Sequence, residues 1–314
     1  MGRINVTRVF SIVVLIIVVV LLSMYYVVVN RDNSDKPEGE RPAQQVESTQ
    51  VEKKPFDYTL LRNDINELLA ENQENYSMFV LKPALSDEPL VINNKVRRSA
   101  SMIKVFIMAY VMDEAAHSKL NLASPITLKA SDKVGGAGII SGWRTGTEIS
   151  IEELTRLMIT ESDNTATNML IDYLGMDNIN KYIQKNGYSE TILQRKMMDL
   201  EAVADGRENY SSVKDLGAFF SKLLNHSCVS YEYDQRMIDI LLQQTDTEVF
   251  PAALSNASIA HKTGELNNLY DDGGIIFTDD GAYVVVIMND DIVRREAVST
   301  MKKILKAVNA YWTK

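Results

Sequence analysis

The chain begins with an unbroken apolar run, from Val9 to Val29, that contains no charged residue. A helix of this length spans about 30 Å, the thickness of a bilayer core. Arg3 and Arg8 precede the run, and such positive charge favours the cytoplasmic side. The run has no small-residue cleavage site and no lipid-carrying cysteine. The pattern therefore predicts a cytoplasmic stub at 1–8, a single-pass transmembrane anchor at 9–29 in the cell membrane, and export of everything beyond.

The next segment, residues 30–55, is almost wholly polar. It carries eleven charged residues and three prolines. A segment of this composition cannot bury enough apolar surface to offset the entropy lost on ordering. It is predicted to be a disordered polar linker, which leaves 56–314 as the extracytoplasmic domain.

Residues 56–314 show strand-like runs near both ends and helical periodicity between them. An amphipathic segment at 58–69 comes first, helical patterns dominate 101–245, and a long closing helix is predicted at 294–312. Such an arrangement predicts an α+β fold with three layers, α/β/α: a five-stranded antiparallel sheet built from both chain ends, with an all-helical lobe inserted. A cleft is expected where lobe and sheet meet. The strand-like runs lie at 76–81, 90–92, 257–263, 273–278 and 282–288.

Composition narrows the possible partners. The sequence is 46% hydrophobic and 24% charged, with a formal net charge of −9 and no basic tract. This balance argues against a nucleic-acid partner. The single cysteine cannot form an internal disulfide, and the three histidines lack the spacing of metal ligands. We therefore expect no metal and no cofactor.

Candidate chemistry starts with Ser101 and Lys104 at the beginning of a predicted helix. The i to i+3 spacing puts the lysine amine and the serine hydroxyl on one helical face. A helix start also supplies free N–H groups for a developing oxyanion. Two other Ser-x-x-Lys matches, which begin at Ser211 and Ser299, are interpreted as ordinary helix surface.

Two further short motifs occur once each. Ser162-Asp163-Asn164 lies between two helical patterns, where by itself it is typical of a helix cap. Lys262-Thr263-Gly264 lies at the end of a predicted strand, where by itself it is typical of a strand end and turn. Ser-x-x-Lys, Ser-Asp-Asn and Lys-Thr-Gly in this order form a much more specific signal than any one of them.

On these motifs, residues 56–314 resemble the class A β-lactamase branch of the active-site serine penicillin-recognising enzymes. The resemblance implies a β-lactamase/transpeptidase-like fold, with Ser101 as the acylated nucleophile, Lys104 as its proton partner and Ser162 as a proton shuttle to the leaving nitrogen. It also implies a substrate-binding set: Asn164 for the substrate amide, Lys262 and Thr263 for its carboxylate, Gly264 next to them in the same motif, and the N–H groups of Ser101 and Glu265 for the oxyanion.

The sequence departs from the family at the loop that normally supplies the deacylating base. The family pattern there is Glu-x-x-Leu-Asn, and alignment on Arg195 and Leu200 puts Met197 at the glutamate position and Glu201 at the asparagine position. A thioether cannot take a proton from water. Either deacylation is slow, as in a penicillin-binding protein, or Glu201 acts as the base, which we treat as a tentative assignment.

Two other features bear on the substrate. Many relatives have an arginine where this chain has Gly273, so Arg294 or Arg295 either replaces it or is only surface charge. A glycine-rich stretch at 135–142 falls where the family has a loop over the cleft, and Trp143 after it is either a gate or core packing.

The motifs and the resemblance thus predict a membrane-anchored serine hydrolase that is acylated by β-lactams at Ser101 and hydrolyses them. Because Met197 replaces the usual glutamate, the sequence does not decide how fast the acyl-enzyme is hydrolysed. An alternative is a cell-wall D-alanyl-D-alanine peptidase or esterase that binds penicillin. A further alternative is a non-enzymatic penicillin or muropeptide receptor that traps the adduct. In each case the partner is a β-lactam or a D-Ala-D-Ala-like peptide, and the catalytic domain is expected to be monomeric.

Overall fold

The computed structural model describes residues 56–312, and within them it contains nine strands and ten α-helices. The strands are β1 Tyr76–Leu81, β2 Leu90–Ile92, β3 Arg97–Arg98, β4 Pro125–Thr127, β5 Glu148–Ser150, β6 Tyr210–Ser211, β7 Ser258–Leu266, β8 Leu269–Thr278 and β9 Gly281–Asn289. The helices are α1 Thr59–Leu69, α2 Lys104–Ala116, α3 Ile151–Thr160, α4 Asn164–Leu174, α5 Met176–Lys185, α6 Leu200–Ala204, α7 Val213–Leu224, α8 Tyr231–Leu241, α9 Phe250–Ala253 and α10 Arg294–Trp312.

The main sheet has five strands in the order β2-β1-β9-β8-β7, and every neighbouring pair is antiparallel. The first and last long strands pair directly, with Met78 opposite Ile287. This confirms the predicted α+β fold, in which both ends of the domain build one sheet. Two-residue β3 and β6, and the β4–β5 pair, were not predicted, because such short strands leave no periodicity to detect.

Side chains of the sheet alternate between two cores. Met78 and Val80 pack with α1 and α10 on one face, whereas Phe79 and Leu81 pack with the helical lobe on the other. The alternation follows from the two-residue repeat of a strand. The result is the predicted three-layer arrangement, with the sheet in the middle.

The helical lobe is organised around α2. Residues on all sides of this helix are buried, including Phe106, Met108 and Val111. A helix that is apolar all round belongs in the interior of a protein. Helix α2 is therefore a fixed support for the Ser-x-x-Lys motif at its N-terminal end.

The two ends of the described chain meet in an aromatic cluster, which consists of Phe56, Tyr58, Tyr311 and Trp312. The ring centroids of Phe56 and Trp312 lie 5.7 Å apart, and those of Tyr58 and Trp312 lie 6.1 Å apart. Lys82 places its amine 5.5 Å from the Trp312 ring. Helices α1 and α10 are thereby held side by side on the outer face of the sheet.

The predicted stub, anchor and linker at 1–55 lie outside the described residues. Among residues 56–312, no helix is both long enough and apolar enough to cross a bilayer.

Candidate active site

The three sequence motifs meet in one cleft of about 700 Å³ between the sheet edge and the helical lobe. Its lining includes Ser101, Ser162, Asn164, Thr263 and Glu265. These residues come from β7, the start of α4 and the turn before α2. The cleft is therefore where the fold class predicted it.

Ser101 lies in a 3₁₀ turn, Ala100–Ile103, that leads directly into α2. The preceding residue, Ala100, has a φ of 43°, a left-handed conformation that costs a non-glycine residue about 1 kcal/mol or more. Gly264 lets β7 approach this turn, because a Cβ there would lie 3.2 Å from the Cβ of Ala100. Ser101 makes no hydrogen bond through its hydroxyl to the residues that the structure describes, and it faces the cleft.

Lys104 is fully buried one turn below Ser101 and points to the second motif. Its Nζ lies 2.7 Å from the carbonyl oxygen of Ser162, 3.1 Å from the Ser162 Oγ and 3.0 Å from the Asn164 Oδ1. Burial, and secondly the charge of Lys262, lower the pKa of Lys104 well below its ordinary value. The shift favours the neutral amine, which is the form that can accept a proton.

Lys262 approaches the same serine from the strand side. Its Nζ donates to the Ser162 Oγ at 3.1 Å and to the carbonyl oxygen of Thr263 at 2.8 Å. Burial lowers the pKa of Lys262 to about 8, and the carboxylates of Asp246 and Asp272 oppose this shift. One hydroxyl is thus shared by two lysine amines.

Asp163 is the N-cap of α4 and also holds the glycine-rich loop. Its Oδ1 accepts from the N–H of Ala166 at 2.8 Å, as the cap interpretation of the motif predicts. Its Oδ2 accepts from the N–H groups of Ile139 and Ile140 at 2.6 and 2.8 Å. Asn164 completes the contact by donating from its Nδ2 to the carbonyl oxygen of Gly135 at 3.1 Å. The capping and functional interpretations of Ser-Asp-Asn are therefore compatible.

We expect Gly138→Ala to weaken this loop. Gly138 has a φ of 111°, and a Cβ there would lie 2.3 Å from the Cγ of Asp163. The substitution should cost about 2 kcal/mol of unfolding free energy, because Asp163 must move. Urea unfolding measures this effect. Gly142→Ala is the matched control, since a Cβ there meets nothing within 4 Å; equal effects in both variants would contradict the explanation.

Met197 occupies the loop position beside the cleft that the family pattern assigns to glutamate. Its backbone is fixed by Asn168, whose Oδ1 accepts from the Met197 N–H at 2.8 Å and whose Nδ2 donates to the Met197 carbonyl oxygen at 3.0 Å. Met197 and Leu200 both line the cleft. Glu201, the tentative base, is exposed on α6 and is not among the lining residues, so the structure does not bring it to Ser101. Leu200 itself is 72% exposed at the rim of the cleft, and Glu201 beside it is exposed to solvent.

The charged residues around the cleft are largely paired. Arg195, the anchor of the alignment, forms a buried ion pair with Glu208 at 2.7 Å. Arg294 binds Glu265 at 2.8 Å and Glu248 at 2.5 Å, and does not itself line the cleft. It therefore lies beside the cleft, engaged with carboxylates of the protein. Arg295 is exposed.

The other serines with a lysine three residues later lie elsewhere. Ser211 is buried in β6, where it bonds Thr191 at 2.8 Å, and Ser299 is exposed on α10. Trp143 packs against the core of the lobe. Within residues 56–312 no group of three or more His, Cys, Asp or Glu side chains could hold a metal ion.

Sequence reasoning missed Asn168 and Asp246. Asn168 follows Asn164 by four residues, so helical spacing alone could have placed both on one face. Asp246 lies in the connection between α8 and α9 and contacts Tyr270 at 2.7 Å, and no local pattern indicates this contact.

Comparisons with known proteins agree with this geometry. Residues 60–312 match the profile of the β-lactamase enzyme family. A β-lactamase from Sphaerobacter thermophilus is 26% identical, with a TM-score of 0.75, over 82% of this chain and 98% of that one. PBP-A is 25% identical, with a TM-score of 0.76, over 83% of this chain and 99% of that one. A substituted PBP-A, solved as an acyl-enzyme complex with penicillin G, is 25% identical with a TM-score of 0.75, over 83% of this chain and 99% of that one.

The match covers nearly all of the described chain, the two serines that the motifs predict line one cleft, and the two buried lysine amines both contact the second serine. The chain therefore belongs to the β-lactamase enzyme family and is a β-lactamase-like serine hydrolase.

Proposed function

We propose that the domain is acylated at Ser101 by β-lactams and releases the acyl group slowly. The observation that carries this proposal is the Ser162 hydroxyl, which lies 3.1 Å from both the Lys104 and the Lys262 amines beside the cleft that Ser101 faces. This arrangement provides a nucleophile, a base with a lowered pKa and a relay for the proton.

The reaction follows from these positions. The neutral amine of Lys104 takes the proton of Ser101 as its Oγ attacks the β-lactam carbonyl carbon, and the N–H groups of Ser101 and Glu265 bind the oxyanion. The C–N bond of the ring then breaks. Ser162 delivers a proton to the departing nitrogen and recovers one from the lysines, which leaves an ester on Ser101. Asn164 holds the substrate amide, and Lys262 with Thr263 holds its carboxylate.

Release of the ester requires a base to activate water, and the loop offers the thioether of Met197 where the family pattern has a glutamate. The likeness to a substituted PBP-A that was solved as an acyl-enzyme complex with penicillin G supports an ester that persists. A D-alanyl-D-alanine-like peptide is therefore a second candidate substrate, with β-lactams acting as slow analogues. A receptor that traps the adduct would use the same first step.

We also propose that the apolar run at 9–29 anchors the full chain, with the N-terminus cytoplasmic and a monomeric catalytic domain outside. The support is the length of the run and the charges of Arg3 and Arg8. External protease on intact cells should release the catalytic domain through the polar linker.

Acylation is tested by treating the full chain with benzylpenicillin and mapping the adduct by mass spectrometry. We expect it on the Ser101 peptide, persisting after excess penicillin is removed, with no labelling of Ser101→Ala. Ser299→Ala is the matched control, because Ser299 also precedes a lysine by three residues. Labelling that survives Ser101→Ala, or none in the wild type at any concentration, would overturn the proposal.

A further inference from the structure

A group of buried and half-buried ionisable side chains lies behind Lys262 and has no part in the reaction described above. His261 and Asp272 are both buried, with the Nδ1 and Oδ1 atoms 2.8 Å apart. The other oxygen of Asp272 accepts from the N–H of Phe250 at 3.3 Å. Residue 261 directly precedes Lys262, and Asp272 pairs with Thr263 across the β7–β8 ladder.

Asp246 is the third member of this group, and it also lines the cleft. The hydroxyl of Tyr270 donates to its Oδ2 at 2.7 Å, and the N–H of Glu248 donates to its Oδ1 at 3.0 Å. Although burial opposes ionisation, these hydrogen bonds and one from Thr263 lower the pKa of Asp246. Asp246 is thus held as a carboxylate beside the residue that follows Lys262.

The amine of Lys262 needs such a carboxylate if it is to bind an anion. It is fully buried and shares Ser162 with a second amine, and both burial and a second amine favour loss of its proton. Position 273 is a glycine, so no arginine at this position binds the substrate carboxylate in place of Lys262. The carboxylates of Asp246 and Asp272 act on this amine, and Lys104 contacts the same Ser162 hydroxyl. Of the other ionisable groups nearby, His261 is paired with Asp272, and Asp163 acts on Lys104.

We propose that Asp246 is a positioning residue that keeps the amine of Lys262 protonated, and therefore able to bind the carboxylate of the acyl donor. The proposal rests on the function proposed above. Asp246 does not touch the reacting atoms, and it acts through Lys262 and Thr263.

The sign of the pH effect follows. The pKa of Lys262 is about 8, so acylation by an anionic donor should fall as the pH rises through that region. Asp246→Asn removes a negative charge and keeps the size of the side chain, although one of the two accepting oxygens becomes an NH2 group. The midpoint of the alkaline limb should then move down by about one pH unit, as expected on removal of a half-buried charge that acts on Lys262.

The experiment measures the second-order rate of acylation of the full chain by benzylpenicillin from pH 6 to pH 10. Asp234→Asn is the matched control, because Asp234 is likewise a carboxylate that accepts from the backbone, in this case from the N–H groups of Cys228 and Val229. We expect the control to lose stability and keep the wild-type midpoint. An unshifted midpoint in Asp246→Asn, or an equal shift in Asp234→Asn, would overturn the proposal.

A second measurement needs no variant. Benzylpenicillin methyl ester lacks the carboxylate, so the wild-type alkaline limb near pH 8 should disappear with this donor. A limb that remains would show that another group causes it. If Ser101 is labelled and the limb is insensitive to Asp246, only this inference fails; if Ser101 is never labelled at any pH, the proposed function fails with it.

Discussion

Met197→Glu is expected to speed release of the acyl group from Ser101 by ~10²- to 10⁴-fold, the contribution typical of a positioned general base. The side chain at position 197 is only 7% exposed and lines the cleft. Two hydrogen bonds to Asn168 fix its backbone at 2.8 and 3.0 Å, so a glutamate there should point the same way. Its carboxylate would then lie on the cleft wall, where it could take a proton from water.

The measurement is a pulse of benzylpenicillin followed by intact-mass analysis of the remaining adduct over time. Met197→Gln is the matched control, since it has nearly the same shape but cannot accept a proton. Slow release in both variants would show that the loop cannot place a base. Glu201→Gln should leave release unchanged, because Glu201 is exposed outside the cleft lining; a slowing of tenfold or more would establish it as the base after all.

Lys104→Arg is expected to lower the rate of acylation by ~10²- to 10⁴-fold. Arginine keeps the positive charge but cannot lose its proton in a protein, so the variant removes the base while preserving the cation. In the wild type, burial and Lys262 lower the pKa of Lys104, which leaves the neutral amine available. Acylation should therefore fall as the pH drops through that lowered pKa and Lys104 becomes protonated.

Stopped-flow measurement of nitrocefin acylation gives both the rate and this acid limb. Lys196→Arg serves as the control, because Lys196 lies on the same loop as Met197 but is part exposed and paired with Asp172. Wild-type rates in Lys104→Arg would place the base elsewhere. If the fall in rate at low pH persists unchanged in that variant, a group other than Lys104 causes it.

The sequence predicted those parts of this protein that rest on local patterns. Short β-rich runs located β1, β7, β8 and β9, and the three short motifs located Ser101, Ser162 and Lys262. These features could be recognised because each is contained within a few adjacent residues.

The features that the sequence did not predict depend on contacts between segments that are distant in the chain. Asp246 meets Tyr270 through the folding of a loop over a strand edge, and Arg195 meets Glu208 across the loop that carries Met197. Glu201 is exposed because of the orientation of α6 at the cleft, and a sequence alignment does not show the orientation of a short helix. The structure therefore adds two kinds of information to the sequence: the long-range pairing of charged residues and the orientation of a short helix.

The pairing of β1 with β9 has a consequence for how the chain acquires its fold. Phe79 lies opposite Val286, so the middle of the sheet joins the two ends of the described chain. During synthesis, the edge of β1 that pairs with β9 stays unpaired until nearly the whole domain has emerged from the ribosome. Contacts so remote in sequence slow folding, because a very long loop must close before they form. Truncation after β8 should accordingly leave β1 without its partner, exposed to pairing with strands of other chains.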